Sequence, residues 1–384
     1  MEAKKERVRL LELEPNIVLL FSAIAIPVII LGALLILGTV RSEMNRLVGE
    51  DLLGGAAEDT ARHLDTYLLN GFTTVSVVAA SSNLHDAVRR SNEGYRESPT
   101  AIETKLEAID REWTRSRGAV PLALDLVRGP ASDYLRKITE LHPSYRELLV
   151  TDRFGALVAA TNITTDFYQA DEEWWRKAFG EGDRGSLYIG ELAFDASAGA
   201  HTIEVAVPLL EEAGEDSTEV VGVLKTLIGA EELFSVIGSV RRGESGHALL
   251  VSGKDGTVVA GRDRDVMRRP YPAFAQLQES LQQGRRAFVS RQDDGLWLSG
   301  FARLPQPAPA QFADWIVVVQ QRHDEIHAAT RRATIYLVLF FVGMVLVVLL
   351  FSLYLHYRLV RPIREIDLRE EMDRLASAEP RASS

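Results

Sequence analysis

The sequence predicts an α+β membrane protein, in which two apolar helices flank a long helical stalk and two tandem antiparallel-sheet modules. Three observations carry this. Residues 17–40 and 334–355 hold no charged side chain. Residues 41–90 repeat apolar positions at helical spacing. A hairpin signature, "LLVTDRFGALVA" from Leu148, returns as "LLVSGKDGTVVA" from Leu249, with half of its positions identical.

The first run is a membrane span. A helix needs about 20 apolar residues to cross a bilayer, and this stretch is too long, with no small-x-small cleavage site after it, for the core of a secretory signal. Pro27 inside it is tolerable where neighbouring helices take up the freed backbone groups. Lys4, Lys5, Arg7 and Arg9 precede the span, and Arg358, Arg361, Arg364 and Arg369 follow the second one. Cytoplasmic flanks are enriched in Lys and Arg. Both termini are therefore expected inside the cell, although Arg331 and Arg332 on the outer side weaken the contrast. The chain then divides into a cytoplasmic N-terminus (1–16), a first span (17–40), an extracytoplasmic region (41–333), a second span (334–355) and a cytoplasmic stub (356–384).

The extracytoplasmic region is long enough for a sizeable core. With no cysteine, its stability must come from packing, and the net charge of −11 argues against a nucleic-acid partner. Leu64, Leu68, Phe72, Val75 and Ala79 form one apolar stripe. They predict a long helix over 41–90, broken by "NEGYRESPT", with further helices over 101–117 and 130–140 in a stalk that ends near 145. Each hairpin copy then pairs two apolar runs around a turn glycine, which takes a positive φ. Further strands follow: "HTIEVAVPLL" and "VVGVLKTLI" after the first copy, "LWLSGFARLP" and "DWIVVVQQ" after the second. The repeat predicts a membrane-distal module over 146–230 and a membrane-proximal one over 240–322.

The stretch "TTDFYQADEEWWRKAF" concentrates the candidate chemistry. Asp171 is placed to cap a helix beginning at Glu172, where acids suit the helix dipole. Trp174 and Trp175, about 100° apart on a helix, cannot share a direction. One is expected to anchor the sheet and the other to face a cavity, where an aromatic wall suits a cation or a flat ring. His323 and His327 in "RHDEIH" lie four apart, but the glutamate is displaced from the H-E-x-x-H order of zinc proteases. A solvated helix is the expectation there. No metal site, cofactor site or catalytic constellation is predicted.

Taken together, the two spans, the long first helix, the tandem modules and the stretches "YRELLVTDRFGALVAAT", "YQADEEWWRKA", "LYIGELAFD", "IEVAVPLL" and "VVGVLKTLI" resemble the double Cache (dCache) sensors of bacterial chemoreceptors and histidine kinases. "HYRLVRPIREI" resembles the opening of a HAMP linker. The resemblance implies PAS-like modules, an inner-membrane receptor that is not an enzyme, and a homodimer paired along the long helix. It implies a small-molecule ligand in the distal module, with Tyr168, Asp171, Trp174, Trp175, Tyr188 and Asp195 as its candidate contacts. It also implies that Pro362, Ile363 and Ile366 transmit the signal; the stub carries no output domain, so the expectation is a separate cytoplasmic protein or a sequence that is a piece of a longer chain. Amino-acid sensors of this family carry an Arg and an Asp where this chain has Glu172 and Leu227. A free amino acid is therefore not expected, and the surplus of acids favours a cationic or neutral ligand. The alternative function is a non-catalytic membrane scaffold that uses the same fold to bind a protein or envelope partner.

Overall fold

The computed structural model describes residues 15–355 except 181–184, 197, 215–216, 263–266, 268, 307–308 and 310–311, together with 357 and 372. Pro362, Ile363 and Ile366 lie outside the described residues. The chain forms two units, one of residues 1–48 with 323–384 and the other of residues 49–322.

In the first unit, α1 (Pro15–Arg46) and α10 (His323–Leu355) are the long apolar helices. Each contains a segment long and apolar enough to cross a membrane. They run antiparallel. Ser22 and Ser352 share a hydrogen bond of 2.6 Å at one end, beside the edge-on rings of Phe21 and Phe351, while Arg41 approaches His323 at the other. Pro27 sits within α1 without ending it. The expectation of a solvated helix is corrected at His323, which is buried with Arg41 and His327 against its ring.

The second unit begins in a π-helical segment, Leu47–Gly54, that leads into α2 (Gly55–Ala79). The predicted stripe of Leu64, Leu68, Phe72, Val75 and Ala79 is buried. The single helix over 41–90 is not what forms. The π-helical turn interrupts it first, and extended backbone at Ser81 separates α2 from α3 (Ser82–Glu93). The β-branched, serine-rich run before that break is weak helix-forming sequence. The π turn has a packing reason. A Cβ on Gly300 would lie 2.2 Å from the Gly54 nitrogen and 2.4 Å from the Leu53 carbonyl carbon, so helix backbone rests directly on strand backbone. Three helices follow, α4 (Pro99–Ser116), α5 (Pro121–Val127) and α6 (Pro130–Leu141), each opening on a proline in its first turn, where no N–H is needed.

The first sheet comprises β1 (Tyr145–Asp152), β2 (Leu157–Ala160), β3 (Tyr188–Asp195), β4 (Ala200–Gly214) and β5 (Ser217–Gly229), with α7 (Glu173–Phe179) between β2 and β3. Its antiparallel order is β2-β1-β5-β4-β3. After α8 (Glu231–Ser239) and the short β6 (Arg241–Arg242) come β7 (Gly246–Ser252), β8 (Val258–Ala260), α9 (Phe274–Gln282), β9 (Ala287–Gln292), β10 (Gly295–Arg303) and β11 (Trp315–Arg322). Here β8 pairs with β7, and the order continues β7-β11-β10-β9, so the five-strand topology of the first sheet is repeated, with β6 added beside β7. The repeated turns are alike as well. Gly155 and Gly256 have φ of +81° and +77°. A side chain on Gly155 would strike Ala170, and one on Gly256 the ring of Phe274. Asp152 is fully buried at the first turn. It accepts hydrogen bonds from the Phe154 and Ala156 amides, from Ser91 Oγ at 2.8 Å and from Tyr95 Oη at 2.6 Å. The carboxylate thereby ties the hairpin to α3, and burial pushes its pKa up.

Candidate functional site

The face of the first sheet beneath α7 carries charge where a sheet core is normally apolar. The register explains how. Leu227 of β5 stands opposite Glu147 of β1 on one side and Glu204 of β4 on the other. Two residues back, on the same face, Lys225 stands opposite Leu149 and Ala206. Lys225 Nζ lies 2.7 Å from Glu204 Oε1 and 4.8 Å from the centre of the Trp174 ring. An ammonium is thus held between a carboxylate and an aromatic face, both favourable partners for a cation. Trp174 is itself buried, and its Nε1 has no hydrogen-bond partner among the described residues.

Beside this pair opens a cavity of about 520 Å³. Tyr188, Gly190, Asp195, Glu204, Glu173 and Lys177 contribute to its wall, and Leu227 also faces it. Lys177 pairs with Glu173 at 2.5 Å and lies 5.6 Å over the Tyr188 ring. Asp195 accepts the Ala198 amide at 2.8 Å, which fixes the turn after β3. The surrounding field is negative. Burial raises the pKa of Glu147, the more so with Asp195 and Asp166 nearby and against the pull of Lys225. Burial first and Asp166 second raise Glu172, and burial raises Asp166 itself. Tyr188 is pushed up by burial and by Glu204.

The structure therefore brings Tyr188 and Asp195 of the predicted contacts to the cavity. The other four stand elsewhere. Both tryptophans are buried, in place of the expected division between anchor and cavity wall. Trp175 donates from Nε1 to Thr151 Oγ1 at 2.9 Å and stacks on Phe179. Trp174 is covered by Lys225. The backbone amides of Tyr168 and Phe167 both donate to Asp110 of α4, at 3.0 and 2.7 Å, which pins this segment to the stalk. The Asp171 cap is also corrected. The helix starts one residue later than expected, its N-cap is Glu172, and no side chain caps it. The backbone oxygen of Asp171 instead accepts from the Arg176 guanidinium. Sequence reading missed Glu147, Glu204 and Lys225. The available signal was a charged residue set within otherwise apolar strand runs.

Among the described residues no group of three or more His, Asp or Glu is placed to hold a metal ion. A search of curated proteins found no match. Among solved structures, the chain is similar to the ligand-binding domain of the Pseudomonas fluorescens chemoreceptor CtaA in complex with L-leucine, at 16% identity over 75% of this chain and 99% of that one, with a TM-score of 0.45. It is similar also to the ligand-binding domain of the Pseudomonas aeruginosa PAO1 amino-acid chemoreceptor PctC in complex with GABA, at 16% identity over 71% and 98%, with a TM-score of 0.43. A family model for the Cache domain, dCache_1, matches residues 41–330. That match spans most of the chain, which belongs to the dCache family of Cache-domain proteins.

Proposed function

We propose that this protein is a transmembrane receptor of the bacterial inner membrane that binds a small cationic ligand in the cavity beside α7. The observation that carries this is the pairing around Leu227. Where the family's amino-acid sensors place an aspartate, this chain has leucine, yet both cross-strand neighbours of that leucine are glutamates. Of these two, Glu204 lines the cavity and offers a carboxylate to an ammonium group from the adjacent strand. Among the described residues that line the cavity there is no arginine for a ligand carboxylate, and Glu172 stands at the position where the family's amino-acid sensors carry one. An amine without a carboxylate fits this balance better than a free amino acid. Asp195 and Tyr188 line the same cavity. Binding is passed along α10 to a separate cytoplasmic protein in a homodimer, and it must favour one of two helix arrangements for anything to be transmitted.

The test is thermal unfolding of the full chain in detergent against amines, nucleobases, organic acids and amino acids. A bound ligand raises the melting temperature by mass action. Stabilisation by an amine that disappears in Glu204→Gln and in Asp195→Ala supports the reading, and stabilisation only by acids overturns it. One observation favours the scaffold alternative: Lys225 already occupies the aromatic face of Trp174. A folded chain that no compound stabilises would move the assignment to a protein or envelope partner.

A further inference from the structure

We propose that the chain carries a second input, a proton-binding latch between Arg41 of α1 and His323 of α10, which joins the sensor-side ends of the two membrane helices while His323 is neutral and releases them once it is protonated. The geometry is asymmetric in donors. Arg41 Nη2 lies 3.5 Å from His323 Nε2. A guanidinium has only donors, so a hydrogen bond here requires the Nε2 lone pair and puts the ring proton on Nδ1. An imidazolium carries a proton on both nitrogens. Protonation therefore sets donor against donor and places a second cation against a permanent one.

The surroundings offer the imidazolium little. His323 is 7% exposed, so the charged ring would lose most of its hydration. Its Nδ1 has no hydrogen-bond partner among the described residues. Arg41 faces it from α1. On its own helix His327 packs ring to ring at 4.2 Å, and Asp324 is adjacent. Asp324 favours the charged form, while burial, His327 and Arg41 oppose it and hold His323 below its ordinary value of 6.5. His327 is lowered too, by burial and then by Arg41. Asn45, one helical turn from Arg41, buries an Oδ1 with no hydrogen-bond partner among the described residues. A metal ion is a poor occupant, because Arg41 would set cation against cation.

The direction in pH follows. A histidine lowered in the packed state binds more protons in the separated state. The latch is complete above the ordinary histidine value and is lost as pH falls towards the lowered one. The opposite ends of the helices meet through Ser22, Ser352, Phe21 and Phe351, none of which titrates near neutrality. His323 directly follows Arg322, the last residue of β11, so the latch lies on the path along the chain from the sensor to the membrane helix.

The chain has no native cysteine, which permits specific spin labelling. Ser42→Cys with Ala328→Cys reports the sensor-side end, and Leu20→Cys with Leu353→Cys reports the other. Distances are measured on the full chain in nanodiscs at pH 8, 6.5 and 5. The expected result is that most of the sensor-side population moves to a longer distance by pH 5 while the other pair stays unchanged. His323→Gln keeps an acceptor for Arg41 and cannot take the proton, so it should lose the shift. Arg41→Gln should move the midpoint up towards the ordinary histidine value. An unchanged sensor-side distance in the native sequence, or the full pH response in His323→Gln, would overturn the latch. If His323→Gln does not fold, an unmoved midpoint in Arg41→Gln overturns it equally.

Discussion

The two sheets share one strand order and one turn, yet their helix-covered faces are filled in opposite ways. Under α7, Glu147, Lys225 and Glu204 bring charge to the sheet, and a cavity opens beside them. Under α9, the polar groups among the described residues hydrogen-bond to one another. Tyr271 Oη and Gln292 Nε2 both donate to Gln320 Oε1 at 3.1 Å. Gln320 Nε2 meets His247 Nε2 at 3.1 Å, so His247 accepts there and its Nδ1 proton goes to the Ser245 carbonyl at 2.9 Å. A satisfied network of this kind specifies a core. Within one architecture, it is the filling of a single face that separates a candidate site from a packing element.

The contrast can be broken by experiment. The largest effect is expected at the closed face. Tyr271→Ala removes a buried ring and opens the network, costing about 3–5 kcal/mol of stability in a denaturant melt. Stabilisation by an amine should survive it. Loss of binding in a chain that is still folded would make the second face a site as well. Next, Glu204→Gln should weaken an amine about tenfold or more in calorimetry, roughly 1.4 kcal/mol, with little change in folding. Lys225→Met strands Glu204, and because the pair is partly exposed the cost is about 1–2 kcal/mol. The double variant with Glu204→Gln should regain most of that, and full additivity would show that the two residues are uncoupled. The smallest effect is in pH. The raised Glu147 carboxyl contributes stability while protonated and loses it as pH rises through its raised value. Glu147→Gln should therefore become more stable than the native chain as pH goes from 4 to 7.5, and a constant gap would remove Glu147 from the site's charge balance.

Much of the frame was legible in the sequence, because it follows from strong local patterns. The apolar runs, the stripe on α2, the turn glycines and the repeated strand order all express periodicity or backbone need. The site was less legible for a physical reason. β4 and β5 are buried on both faces, so they read as continuous apolar runs and the period-two alternation that would show which way Glu204 and Lys225 point is absent. The repeat also hides an offset. It aligns Leu149 with Leu250, yet Leu149 packs under α7 whereas Leu249 and Val251 pack under α9. A register irregularity in each hairpin, at Val150/Thr151 and at Leu250/Val251, makes side-chain direction unreadable from spacing. Asp110, which pins Phe167 and Tyr168, comes from a helix far away in sequence, and no local pattern announces it.

The contact at Gly300 has a mechanical meaning. Side chains between a helix and a sheet act as springs, because each can change rotamer and absorb a small displacement. Where Leu53 and Gly54 lie directly on Gly300, there is no spring. A displacement of β10 at this point would meet the backbone that leads into α2 with no side chain between them to absorb it.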